Sequence, residues 1–294
     1  PEGYPWYYTN YVAPDYRYRR IGQVLGSAKQ MTVDDQWKLM MDDRNLQSDR
    51  LRTTIVAALK DDPAQRDLAA LLEKWDGVDR ADQAAPLVYQ AIYREIALGT
   101  FTNKLGEDAA KDMLSTWYFW QQRFDALVGT PDSPWFDNPE TKDKRENLAD
   151  VIRAAAPRAR ASIEALQGKD PAAWAWGKAH TLSFVSPLRR SGAGQELAGG
   201  FTVQRPGSGE TLNRGVYDFQ KPFAVNFFPS MRVVVDFADP DKINAVVAGG
   251  VSERHFQPHQ NDQARILVAG ERRSWWFNPK QVEAHAKSRA TLLP

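Results

Sequence analysis

The chain has 294 residues, 43% apolar and 26% charged, which is an ordinary globular composition and enough length for one large or two modest domains. Lys plus Arg number 38 against 37 Asp plus Glu, so the formal charge of +1 gives no electrostatic case for nucleic acid or an anionic membrane as a partner. There is no Cys, which excludes disulfides and thiol catalysis, and no apolar run approaches the roughly 20 residues a membrane-spanning helix needs.

Residues 1–19 are dense in Tyr, Trp and Pro, as in Tyr4-Pro5-Trp6-Tyr7-Tyr8, and predict an extended aromatic segment. Its start, Pro1-Glu2-Gly3-Tyr4, is neither an initiator Met nor a signal peptide, and is expected to be an artificial boundary or a cut from a longer precursor. From Arg19 the pattern turns helical. Thr32 with Asp35 reads as a capping box, with Trp37, Met40 and Met41 following at helical spacing. Leu51, Ile55, Ala58 and Leu59 repeat that spacing. Asp62-Pro63 predicts an N-cap with Pro at the first helical position, ahead of a stripe of Leu68, Leu71, Leu72 and Trp75 that stops near Gly77. Further stripes are expected over 83–98, over 106–128 (Met113, Leu114, Trp117, Phe124, Leu127) and over 143–167 (Leu148, Val151, Ile152, Ile163). Residues 20–167 are therefore expected to form an all-helical domain.

The period changes after Asp170-Pro171. Thr202–Gln204, Arg232–Phe237, Ala245–Ala248 and Trp275–Phe277 read as strands, punctuated by Gly199-Gly200, Gly207-Ser208-Gly209 and Gly249-Gly250. Helices first and strands later argue for α+β, with 168–294 as the strand-bearing part and a short surface helix or tail over the last fourteen residues.

On side-chain chemistry alone, no complete catalytic site stands out. His255, His259 and Asp262 have tolerable metal spacing, but Pro258 disfavours the helix such a site needs and the zincin Glu is missing, so they read as structural loop residues. Asp34, Asp35, Asp42 and Asp43 read as a solvated helix face. Gly207-Ser208-Gly209 lacks the strand–turn–helix spacing of a nucleophile elbow and reads as a turn. Gly192-Ala193-Gly194 lacks the third glycine of a dinucleotide fingerprint, and no phosphate-binding Gly-Lys-Ser/Thr is present.

Taken in order, several stretches resemble the penicillin acylase family of N-terminal nucleophile hydrolases, which includes acyl-homoserine-lactone acylases. They are Tyr4–Tyr8 followed by Ala13-Pro14-Asp15-Tyr16-Arg17-Tyr18-Arg19-Arg20-Ile21, then Trp135–Thr141, then Trp174-Ala175-Trp176-Gly177-Lys178-Ala179-His180. Met231–Asp236, Gly249–Ser252, Pro258–Gln263, Ala269–Glu271 and Trp276-Phe277 complete the series. The chain departs from the family at Val251, where Gln is common, and at Gln260, where Tyr commonly follows the His.

The resemblance implies an αββα sandwich carrying a helical insertion, of which only the C-terminal part of a β chain is present. It implies an amide hydrolase that removes an acyl group from an amine-bearing partner such as a β-lactam antibiotic or an acyl-homoserine lactone. The family's nucleophile is an N-terminal Ser using its own amino group as base, and that Ser and the oxyanion-hole Asn would lie outside this chain. Arg17 is the position matching the family's oxyanion-supporting Arg; its alternative is packing against Asp15 or Asp43. The substrate-binding residues are unknown, no metal or cofactor is expected within the chain, and the implied partners are the remaining α and β polypeptide and a small-molecule amide. A periplasmic or secreted location is implied in the same way. The rival reading is a non-catalytic helical module that binds an apolar ligand or a protein partner.

Overall fold

The computed structural model describes residues 3, 5, 6, 9, 12–116, 119–185, 201–252, 254 and 257–293. The expectations that rest on Tyr4, Tyr7, Tyr8, Trp117, Gly192, Gly194, Gly199, Gly200 and His255 lie outside the described residues. Helices come first: α1 (Tyr16–Ser27), α2 (Val33–Met40), α3 (Ser48–Leu59), α4 (Arg66–Lys74), α5 (Ala84–Leu105), α6 (Glu107–Ser115), α7 (Gln121–Val128), α8 (Leu148–Gln167) and the single turn α9 (Trp176–Ala179). Strands follow: β1 (Thr181–Phe184), β2 (Phe201–Gln204), β3 (Val216–Tyr217), β4 (Val225–Phe227), β5 (Met231–Val234), β6 (Ile243–Val247) and β7 (Arg273–Trp275), with α10 (Asp262–Val268) before β7 and α11 (Pro279–His285) after it. The fold is α+β.

The chain gathers into two compact units, one made of Pro1–Gln23, Asp43–Thr181 and Gln204–Phe227, the other of Val24–Asp42, Leu182–Val203 and Phe228–Pro294. In the first, α5 is the central helix. Leu87, Val88, Ile92, Ile96 and Phe101 are buried around its whole circumference, the pattern of a helix covered on all sides. α8 lies against it, its Ala155, Ala156 and Ala159 are fully buried, and Gly99 of α5 sits opposite Val151 and Arg158. Asn147 and Asp150 form a reciprocal capping box that starts α8. The pair β3–β4 is antiparallel and belongs to the same unit.

In the second unit, β6 is the middle strand of an antiparallel β5-β6-β7 sheet, with Met231 opposite Val247 and Ile243 opposite Trp275. Ala245 and Val246 are both fully buried, so β6 is covered on both faces. β5 alternates instead: Arg232 is buried while Met231 and Val233 are exposed. The expected capping box of Thr32 and Asp35 is present and opens α2, whose Trp37 packs with Val246 and Leu267 and donates its indole N–H to Gly270 O at 2.7 Å. β1 and β2 are hydrogen-bonded neighbours, with Phe184 stacked on Phe201.

Several boundaries differ from the sequence reading. The stripe over 106–128 breaks between Ser115 and Gln121, giving two helices. α4 begins at Arg66, not Pro63; Asp62 caps the preceding turn, its carboxylate accepting from Ala64 N. The single solvated face expected for the four aspartates is not formed. Asp34 and Asp35 lie in the first turn of α2, whereas Asp42 and Asp43 lie beyond its end, where Asp43 accepts from Asn213 at 2.9 Å. β1, β3 and β4 were not legible as strands, because each has only two to four residues and too little alternation to register.

Candidate functional site

The segment from Arg205 to Gly215 is a buried turn, and it is the part of the first unit that carries most of the polar chemistry. Gly207 adopts φ 76°, and a Cβ there would overlap Asn213 O and crowd the Thr211 hydroxyl, so only glycine fits. Ser208 N donates to Thr211 Oγ1 at 2.9 Å, Gly215 N donates to Ser208 O at 3.0 Å, and the Arg205 guanidinium donates to Asn213 Oδ1 at 2.8 Å. The reading of Gly207-Ser208-Gly209 as a turn therefore matches the geometry. What the sequence did not reveal is that this turn carries Glu210 and Arg214 into the interior of the helical unit.

Glu210 is 8% exposed and lies in a cluster with Asp125 of α7. Burial and the Asp125 charge push its carboxyl up to about 7, against the opposing influence of Arg214, Arg17 and the Gln121 amide. Burial likewise raises Asp125 to about 6, although the Tyr16 hydroxyl donates to its Oδ2 at 2.7 Å and the Tyr93 hydroxyl to its Oδ1 at 3.2 Å. Two neighbouring buried carboxyls with raised affinity for protons are unusual enough to mark a candidate site. A cavity of about 110 Å³ opens beside Glu210, lined also by Arg214, Gln121, Tyr93, Trp120 and Tyr217.

A third buried carboxyl, Asp79, accepts from Asn45 Nδ2 at 3.1 Å, and burial raises it to about 7. Its backbone is part of the scaffold: Asp79 N donates to Asp43 O and Gly207 N donates to Asp79 O. His180 is fully buried, its ring stacked on Trp176 at 4.4 Å with Nδ1 2.8 Å from Phe223 O. Burial lowers it to about 3, so it is a neutral packing residue. The tract Trp176-Gly177-Lys178-Ala179-His180 acquires a physical reason here. The Trp176 indole donates to Gly207 O at 2.8 Å, and a Cβ on Gly177 would press on Ala81 and Gln204.

Arg17 lies on the first turn of α1 and is half-buried, its guanidinium close enough to lower Glu210. Asp15, one of the two acids offered as its packing partner, pairs with Arg19 at 3.0 Å instead. His259 and Asp262 join each other, Nδ1 to Oδ2 at 3.0 Å, and Arg273 shares the same oxygen at 3.0 Å. Gly249-Gly250 and Pro258–Gln263, separate in the sequence, form one structural element. His259 O accepts from Val251 N and Ser252 N, Gln263 N donates to Gly249 O, and a Cβ on Gly250 would overlap His259 O. Among the described residues, no group of His, Asp and Glu is arranged to hold a metal ion, and no helix is long and apolar enough to cross a membrane.

Asp125, Glu210, Tyr93 and Arg214 were missed in the sequence. Asp125 sits in a short helix of mixed polarity and Glu210 follows a glycine turn, so neither had a spacing that announced burial.

The model of the penicillin amidase family matches residues 1–284. Acyl-homoserine lactone acylase QuiP of Pseudomonas aeruginosa is 27% identical, covering 98% of this chain and 37% of its own length. The QuiP protein of Pseudomonas syringae pv. tomato is 26% identical, covering 100% of this chain and 38% of its own. The chain thus spans little more than a third of the length of these curated relatives. The thermostable penicillin G acylase from Alcaligenes faecalis shares the fold at a TM-score of 0.59 and 15% identity, over 99% of this chain and 54% of that one. With a family match over nearly every residue and a shared fold across the same span, the chain belongs to the penicillin amidase family.

Proposed function

We propose that the chain forms part of an acylase that hydrolyses a linear amide between an acyl group and an amine-bearing partner. The observation that supports this most directly is its likeness to acyl-homoserine lactone acylases along 98–100% of its residues. An acyl-homoserine lactone is accordingly the first substrate to try, and a β-lactam with an acylated amine the second. In this reading the attacking Ser and its amino-group base belong to the remaining α and β polypeptide of a common precursor, placed in the periplasm or secreted. Arg17 supports the oxyanion-hole Asn, where a guanidinium favours developing negative charge.

The test is to express the full precursor and, separately, the 294-residue chain, and to assay both with acyl-homoserine lactones and phenylacetyl anilides. The processed precursor should turn over at least one of these substrates, and the chain alone should not. A precursor inactive on every amide would overturn the reading. Steady turnover by the repurified chain alone would place the chemistry inside these residues instead.

A further inference from the structure

Arg17 sits in the first turn of α1, a helix with no side chain buried in the core and with Tyr18, Ile21 and Leu25 exposed. A cavity of about 610 Å³ opens beside that turn, lined by Tyr16, Arg19 and Gln23 of α1 and by Asp49, Arg50 and Asp125. Most helices are fixed by packing an apolar face. Within this chain α1 has little such packing, so the polar contacts of its first turn decide how it is set.

The long-range contact there is the Tyr16 hydroxyl donating to Asp125 Oδ2 at 2.7 Å, and both of its ends are braced. The other oxygen of Asp125 accepts from the hydroxyl of Tyr93, a buried residue of the central helix α5. The Tyr16 ring lies under the Arg19 guanidinium, 5.0 Å from its centre, and Arg19 is tied to Asp15 at 3.0 Å. Successive residues of a helix point about 100° apart. Fixing Tyr16 therefore fixes the direction in which Arg17 leaves the helix. That direction brings the guanidinium near Glu210, the carboxyl that neighbours Asp125. Two consecutive residues thus address two neighbouring carboxyls, Tyr16 by a hydrogen bond and Arg17 by charge. Aim matters to catalysis, because a group misplaced by about 1 Å can lose on the order of 10² in rate.

We propose that Tyr16 and Asp125 are positioning residues for amide hydrolysis, their hydrogen bond setting the rotation of α1 and so aiming Arg17 at the oxyanion. This rests on the role proposed above for Arg17.

The experiment uses the processed full precursor at pH 8, well below the melting temperature of each variant, on the acyl-homoserine lactone or phenylacetyl anilide that the parent turns over. Tyr16→Phe, which removes only the hydroxyl, should lower kcat by about 10- to 100-fold and leave KM unchanged. Asp125→Asn keeps an oxygen for the Tyr16 hydroxyl and should stay within about threefold of the parent, whereas Asp125→Ala should be as slow as Tyr16→Phe. In an Arg17→Ala background, Tyr16→Phe should cost nothing further, because there is no guanidinium left to aim. Should Asp125→Ala not fold, Tyr16→Phe and the double variant decide alone. A normal rate for Tyr16→Phe beside a slow Arg17→Ala would overturn this proposal and leave the role of Arg17 standing. Equal losses from Tyr16→Phe in both backgrounds would overturn it too, since Tyr16 would then act other than through Arg17. A normal rate for Arg17→Ala would sink the oxyanion role and this proposal with it.

Discussion

The hydroxyl of Tyr16 donates to Asp125 Oδ2 at 2.7 Å across 109 residues of sequence, joining α1 to α7. The Tyr93 hydroxyl occupies the other oxygen of the same carboxylate. Tyr16→Phe removes one donor and leaves a largely buried carboxyl short of a partner. It should destabilise the fold by about 1–3 kcal/mol, because the desolvated acceptor stays behind. Urea unfolding of the variant and the parent measures this; a change well below 1 kcal/mol would mean that α1 is not held there.

The buried carboxyls give stability a pH dependence of definite sign. Asp79 and Glu210 are raised to about 7 and Asp125 to about 6, whereas unfolded carboxyls titrate near about 4. Between those limits the native state holds more protons than the unfolded chain, so stability falls as pH rises from about 4 to 7 and levels off above. Melting temperatures across that range should decline with rising pH, and Glu210→Gln should flatten the slope. Asp150, held below its usual range chiefly by Lys144, acts oppositely, its contribution being lost as pH drops below about 4. A curve that climbs steadily from pH 4 to 7 would contradict the burial of these groups.

Two glycines with similar backbone angles should respond very differently to alanine. Gly106 has φ 79° and nothing within 4 Å of the place a methyl group would occupy, so Gly106→Ala should cost only the backbone strain, about 1–3 kcal/mol. Gly207 has φ 76° and a Cβ position that overlaps Asn213 O, so Gly207→Ala adds a clash with the backbone of the buried turn. It should cost more than Gly106→Ala and disturb the turn that carries Glu210. Thermal unfolding of the pair checks the order.

In the proposed acylase, Arg17→Ala should slow amide hydrolysis by about 10²–10³ if Arg17 supports the oxyanion hole. Its melting temperature at pH 6 should stay near that of the parent, because Glu210 is then largely protonated and needs little counter-charge. A normal rate with a lowered melting temperature would assign Arg17 to packing.

Met231, Val233 and Val235 lie exposed near or on β5, the outer strand of its sheet, and Phe237 is 94% exposed. An apolar outer strand invites association. The isolated chain should self-associate with rising concentration in sedimentation experiments, and Val233→Lys should suppress it. Equal monomer content in both proteins at high concentration would show that this face is inert.

Local signals were legible in the sequence wherever neighbouring residues alone decide the outcome. Thr32 and Asp35 satisfy each other's backbone within one turn, and the stripe of Leu68, Leu72 and Trp75 fixes a buried face by spacing alone. The ordered motifs also carried the family, because they record packing that the sequence can only spell out: Gly177 against Ala81, and Gly250 against His259. Tertiary structure alone decided which carboxyls are special. Asp125 and Glu210 are 85 positions apart, and nothing in their neighbours separates them from the solvated acids of α2. Their proton affinity comes from losing water, and water is lost only when α7 and the turn after Arg205 meet inside the helical unit. Burial is a property of the assembled chain, and so is the cavity it leaves beside Trp120 and Gln121.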